Sequence, residues 1–255
     1  MANTKILTAG DKLAELYAEA LLEVLKDLDK RVVDIVAGAR TSRTEFDAAI
    51  ILNSRAQMIE ALQASGYNQL SAAYISEYEG IPATVAKAMK DRKLPPPKFT
   101  AADAEIFVGL ASADLQAFSA IGRNAMDELR IGLYKQAVSN QPFSALVRSV
   151  AAATVGVDGK GSPMANHART IANTAVLDFG GEVLRVAGEN IGAEKWEAVG
   201  PLDSVTREEC QEALSDPVRT EAEWKQHTGA DGEPYWGGTP GGFNCRHQLF
   251  PVVSE

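Results

Sequence analysis

Cysteine is nearly absent from this chain: 255 residues hold two, Cys210 and Cys245, alongside three histidines. That is too few thiols for a disulfide-stapled secreted scaffold. Aromatic residues reach only 7 % while alanine is abundant, which favours helices packed through small side chains over a β-sandwich. Excess positive charge is missing too. The net charge of −9 and a pI near 5.0 exclude a DNA-coating role, because affinity for the phosphate backbone needs clustered Lys and Arg. A local basic run, Lys30, Arg31, Arg40, Arg43 and Arg55, is interleaved with Asp27, Asp29, Asp34, Glu45 and Asp47 and reads as a solvated helix face. Residues 1–8 have no apolar signal core, and no stretch approaches the roughly 18 apolar residues of a membrane span. A soluble protein made in the cytoplasm, with no membrane partner, is the expectation. The glycine-rich stretch 156–161 lacks the Gly-Lys-Ser/Thr ending of a phosphate-binding loop, so ATPase chemistry has no residue set.

What is present is a 45 % apolar chain, enough to build a core, with helical periodicity over most of its length. Over 11–37, Leu13, Leu16, Tyr17, Ala20, Leu21, Val24, Leu25, Leu28, Val32 and Ile35 recur at spacings of three and four, which predicts one long amphipathic helix ended by Gly38. An apolar face of that length needs a partner, either the next helix or another protein. Ser42-Arg43-Thr44-Glu45 has the form of a capping box for a second helix stopping near Gly66. Further helices are expected over 68–80, over 82–93 with Pro82 in the first turn, over 100–111 behind Thr100, over 112–138 and over 143–153. The run Leu94-Pro95-Pro96-Pro97-Lys98 is a stiff connector. Ser162-Pro163 starts another helix. Beyond Gly188 the segments shorten, and 183–187, 196–199 and 248–253 are the strand candidates. The expected fold is mainly α, with long N-terminal helices and a small α+β C-terminal domain with short strands, divided into 1–140, a helical docking or arm region, and 141–255.

Three polar elements stand out in the last part: His167-Ala168-Arg169-Thr170-Ile171-Ala172-Asn173-Thr174-Ala175, then Leu202-Asp203-Ser204-Val205-Thr206-Arg207-Glu208-Glu209-Cys210, then Gly241-Gly242-Phe243-Asn244-Cys245-Arg246-His247-Gln248-Leu249-Phe250-Pro251. Thr206 to Glu209 reads as a capping box, which places Cys210 in the first turns of a short helix, near its positive end. Such a position lowers a thiol pKa; a small buried hydrophobe is the plain alternative. If Asn244 to His247 is extended, Cys245 and His247 point to one side. That is the spacing of two zinc ligands, with Cys210 a third and His227 a fourth. The same residues read as a Cys-His hydrolase, against which stands the parallel, non-converging direction of side chains two apart on a strand.

In this order the three elements resemble the phage head morphogenesis family, the Mu F-like minor head proteins of tailed phages, over roughly the last 115 residues. Relatives with that pattern carry a second Cys in each segment, where this chain has Arg207 and His247. The resemblance implies a non-enzymatic virion protein at the portal vertex or inner capsid surface that assists head morphogenesis, DNA packaging and ejection. Its implied partners are the portal protein and the major capsid protein, with genomic DNA nearby but not read by sequence. Several copies per virion are implied, and a location in the host cytoplasm during assembly. Arg169, Asn173, Asp203, Thr206, Cys210, Asn244, Cys245 and Arg246 are the implied structural motif, with Arg169 clamping carbonyls or a carboxylate such as Asp203. A Cys210–Cys245 disulfide formed after particles leave the reducing cytosol would close a loop of about 36 residues. No cofactor is expected. The alternatives are a genome-delivered Cys/His hydrolase or toxin-like enzyme, and a head-tail adaptor ring.

Overall fold

Ala14, Tyr17, Leu21, Leu25, Leu28, Val32 and Val36, three and four residues apart, wind onto one face of α1 (Asn3–Gly38) and are buried there. The computed structural model describes residues 3–42, 45–157, 161–243 and 245–253, with side chains from Lys12 onward. The stripe on α1 is consumed within the chain. Tyr17 packs on Tyr74 and Phe118 with ring centres 4.9 and 5.3 Å apart, and Leu21, Leu25, Leu28 and Val32 have no exposed surface. Of the two partners open to the stripe, the chain itself supplies the cover; among the described side chains of α1, Leu16 and Leu22 are the large apolar ones that stay exposed.

By compactness the chain divides into two units, each made of separate stretches. One holds Met1–Ala14, Ile75–Asp114 and Thr170–Glu255, the other Glu15–Tyr74 and Leu115–Arg169. A single cut between 1–140 and 141–255 is not how it divides. In the second unit, Glu45 N–H donates to Ser42 Oγ at 3.1 Å, but no helix begins there; Arg43 and Thr44 of the expected capping box lie outside the described residues. Instead Asp47 Oδ1 accepts from the amides of Ala49 and Ile50 and caps α2 (Ala48–Asn53). Ser54 donates back to the Ile51 carbonyl and separates α2 from α3 (Arg55–Ala64), so the second helix is two. The chain turns at Gly66 (φ 89°) into α4 (Tyr67–Ser76), and a 3-10 turn over Glu77–Gly80 leads to α5 (Ile81–Asp91), with Pro82 in its first turn.

Thr100 and Asp103 cap α6 (Ala101–Val138) reciprocally, with bonds of 2.7 and 3.2 Å. Where two helices were expected there is one of 38 residues, since nothing near 111–112 breaks the hydrogen-bond ladder. Within the second unit a Cβ on Gly122 would stand 2.7 Å from the Tyr67 ring; its absence lets α6 approach α4. Among the described residues α6 is the helix long and apolar enough to cross a membrane, with an 18-residue window of mean hydropathy 1.3, which corrects the expectation that no stretch comes near. Within that window 11 % is buried; along the whole helix the buried residues include Phe107, Phe118, Met126, Leu129 and Leu133. Asn140 (φ 52°) and Pro142 end it before α7 (Phe143–Thr154).

Ser162 Oγ accepts from Ala165 N–H and caps α8 (Pro163–Asn190). The expected strand over 183–187 lies inside α8. There Val176, Phe179, Val183 and Ala187 form a buried three-four row, and that row overrides β-branched propensity. The sheet of the first unit has the order β2-β1-β3, all antiparallel. Its central β1 (Lys195–Val199) pairs with β2 (Val218–Thr220), a strand not expected from sequence, and with β3 (Gln248–Val252), where Ala198 faces Leu249. The fold is mainly α with a small α+β C-terminal part, as its periodicity and texture predict.

Candidate functional site

Trp196, Ala198 and Leu249 from the sheet form a buried cluster with Cys210, Ala213, Trp224, Tyr235 and Cys245. Both cysteines therefore sit at the edge of an apolar core. Cys210 is the third residue of α9 (Glu208–Ser215), within the first turn as its sequence implies. The cap differs. Thr206 does not close the helix start, which falls at Arg207; its hydroxyl contacts Asp203 Oδ1 at 3.0 Å and the Pro201 carbonyl at 3.1 Å and accepts from the Asp203 amide. Thr206 thus stiffens the 201–206 turn. A capping box does form downstream, where Thr220 and Glu223 pair reciprocally at α10 (Glu221–Trp224).

Arg246 reaches across the sequence to that turn, with NH1 and NH2 donating to the two carboxylate oxygens of Asp203 at 2.8 Å each. This fork holds the Asp203 carboxyl well below the usual carboxylate range, helped by the Val205 amide and the Thr206 hydroxyl. Asp203 is therefore the partner of Arg246. The expected clamp from Arg169 is not the one formed: Arg169 is exposed and Asn173 half-buried on α8. Arg207, which the sequence marked only as standing where relatives have Cys, donates to the carbonyls of Gly241 and Phe243 at 3.0 and 2.7 Å. It ties the start of α9 to the loop that carries Cys245. Asn244 lies outside the described residues.

That loop is also pinned to α8. A Cβ on Gly181 would stand 2.0 Å from the Gly238 carbonyl oxygen, and Thr239 donates to Asp178 Oδ1 at 3.3 Å. Burial and nearby Glu182 raise Asp178 above the usual carboxylate range.

The two thiols are unbonded, with sulfurs 3.9 Å apart. His247 Nδ1 lies 3.6 Å from Cys245 Sγ, so these side chains converge. This corrects the parallel arrangement expected of an extended segment. The strand begins only at Gln248, and the backbone before it curls enough for the His247 amide to donate to Cys245 Sγ at 3.4 Å. His247 Nε2 is 2.9 Å from the Pro201 carbonyl, which can only accept, so Nε2 carries a hydrogen and Nδ1 is the nitrogen facing Cys245. The ligand atoms of Cys210, Cys245 and His247 all lie within 4.8 Å of one another, and all three residues are buried. The contact with Cys245 lowers the Cys210 thiol to about 4, whereas that contact and burial push Cys245 far up.

His227 is not part of the group. Its Nε2 faces the Glu209 carbonyl at 3.0 Å, and Nδ1 lies 3.5 Å from Arg219 NH1. Two residues that sequence reasoning missed complete the surroundings. A Cβ on Gly241 would stand 2.6 and 2.7 Å from the sulfurs of Cys245 and Cys210, so that glycine lies directly against both. Tyr235, stacked on Trp224, has a fully buried hydroxyl with no partner at hydrogen-bonding geometry. Burial, then the charge of Cys245 and Cys210 and the contact with the Cys210 thiol, raise its pKa far above that of an ordinary phenol. The Gly241-Gly242 doublet was the signal for the first; nothing local marked the second. A cavity of about 680 Å³ is lined by Lys135, Gln136, Ser139, Gln141, Arg148 and Ser149 among others, none of them a motif residue. Set against the models of known protein families, curated proteins and solved structures, the chain gives no match.

Proposed function

We propose that this chain is a non-enzymatic structural protein of a tailed-phage head, a minor component at the portal vertex or inner capsid surface that assists head morphogenesis, packaging and ejection. The family reading rests on the quoted residues alone. One observation supports a structural role: the side chains of Asp203, Thr206, Arg207 and Arg246 are spent on holding the 201–210 and 241–247 segments together. Residues in such bonds brace loops for another surface to use. Docking through the apolar stripe of α1 is not part of the proposal, because that stripe is buried. The test is quantitative mass spectrometry of purified particles from a host producing the chain, followed by cryo-EM at the portal vertex without imposed high symmetry. The chain is expected in a fixed ratio to the portal protein; complete particles that lack it overturn the reading.

A genome-delivered Cys/His hydrolase is favoured by one contact, Cys245 Sγ to His247 Nδ1 at 3.6 Å. Against it, both residues are 3 % exposed, and a nucleophile must meet its substrate. Cys245→Ser separates the two readings. A brace predicts lost stability with assembly impaired in proportion, whereas catalysis predicts normal particles that fail after entry.

A further inference from the structure

We propose that Cys210, Cys245 and His247 bind one zinc ion, which ties α9 to the segment entering β3. Zinc takes thiolate sulfur at about 2.3 Å and imidazole nitrogen at about 2.0–2.1 Å in a tetrahedron, so ligand atoms on one ion stand about 3.8 Å apart for two sulfurs and about 3.6 Å for sulfur and nitrogen. The observed separations are 3.9 Å between the sulfurs and 3.6 Å between Cys245 Sγ and His247 Nδ1, and the third stays within 4.8 Å. A disulfide would have to close the sulfurs to about 2.04 Å.

The surroundings are those of a metal-bound imidazole and thiolate. His247 Nε2–H donates to the Pro201 carbonyl, the arrangement by which an outer carbonyl fixes a ligand tautomer, and Nδ1 is the nitrogen turned toward Cys245 that can ligate a metal. The His247 amide points at Cys245 Sγ, and such N–H bonds stabilise a sulfur that carries charge. Two thiolates offset a dication, and the thiol protons leave to solvent as it binds. A buried, soft, nitrogen-and-sulfur set of this kind selects zinc over magnesium or calcium.

The Tyr235 hydroxyl is buried beside the Cys210 thiol, short of hydrogen-bonding geometry. Three protein ligands leave the fourth zinc position to a water. Gly241 leaves the space against both sulfurs clear of a side chain. The site is a brace, which deepens the structural reading without depending on the phage setting; metal content of the isolated chain and presence in particles are separate measurements.

The experiment uses the full chain purified under reducing conditions. Elemental mass spectrometry is expected to find one zinc per chain. After chelation, cobalt is expected to restore thiolate-to-metal charge-transfer bands in the near ultraviolet and the intense visible bands of a four-coordinate ion. Cys245→Ser and His247→Ala are expected to weaken cobalt binding at least about tenfold, and His227→Ala to leave it unchanged. The cobalt spectrum of the unaltered chain decides the matter even if a cysteine variant fails to fold. Zinc far below one equivalent with no four-coordinate cobalt spectrum overturns the proposal. So does recovery of a Cys210–Cys245 disulfide from reduced, zinc-replete protein, or loss of binding in His227→Ala but not in His247→Ala.

Discussion

Arg246 meets Asp203 fork to fork, 43 residues away in sequence, with both oxygens held at 2.8 Å. A lysine at 246 offers a point charge and loses the second bond. Arg246→Lys and Asp203→Asn are each expected to lower the melting temperature by a few degrees, and the double variant by little more than either, as a double-mutant cycle would read. The sign with pH follows from the depressed carboxyl. Its contribution is present above the ordinary Asp range and is lost only as pH falls through the folded value, in strong acid.

Gly241→Ala is expected to destabilise by about 1–3 kcal/mol, the usual range for overpacking, because the added Cβ would stand 2.6 Å from one sulfur and 2.7 Å from the other. Thermal unfolding measures the loss. Thiol labelling of the native protein should speed up at the same time, since relief of the clash moves the 241–245 loop off the cysteines.

Tyr235→Phe removes a buried hydroxyl whose contact with the Cys210 thiol falls short of hydrogen-bonding geometry. In chelator-treated protein it is expected to raise stability by about 1 kcal/mol, the desolvation cost of an unsatisfied group. Denaturant unfolding of the two metal-free proteins gives the comparison, and a loss of similar size would mean the hydroxyl has a bond after all.

Asp114→Asn tests a buried carboxyl in α6. Burial, with a smaller contribution from Asp178, raises Asp114 from 3.8 to about 6, while a hydrogen bond from Tyr78 opposes the shift. The folded state therefore binds the extra proton between these values. The contribution of Asp114 is present below about 4 and is lost as pH rises through about 6. The gain of the Asn variant over the native chain should be absent near pH 4, grow to pH 6 and then level off in a melting-temperature series.

Local signals carried far in this protein. Thr100 with Asp103, Ser162 before Pro163, and Pro82 each mark a helix start that the chain uses, because a cap is satisfied by atoms a few residues away. The stretch 112–138 was legible as a helix but not as the second part of α6, since a missing break is a weaker signal than a present one. The hydrophobic row through Val183 overrode a strand-like composition.

By itself, then, the sequence determined the mainly helical fold and the late sheet. Periodicity, caps and composition are local properties of a chain, and they survive without its neighbours. Only the tertiary structure decided that Arg246 rather than Arg169 takes Asp203, that Arg207 holds the cysteine loop, that His247 turns toward Cys245 while His227 does not, and that Tyr235 and Gly241 stand beside the sulfurs. The stripe of α1 was plain in sequence, but whether another protein or the chain's own aromatic residues would cover it was not. Such choices depend on which groups meet across long stretches of backbone, and spacing along the chain carries no information about that meeting.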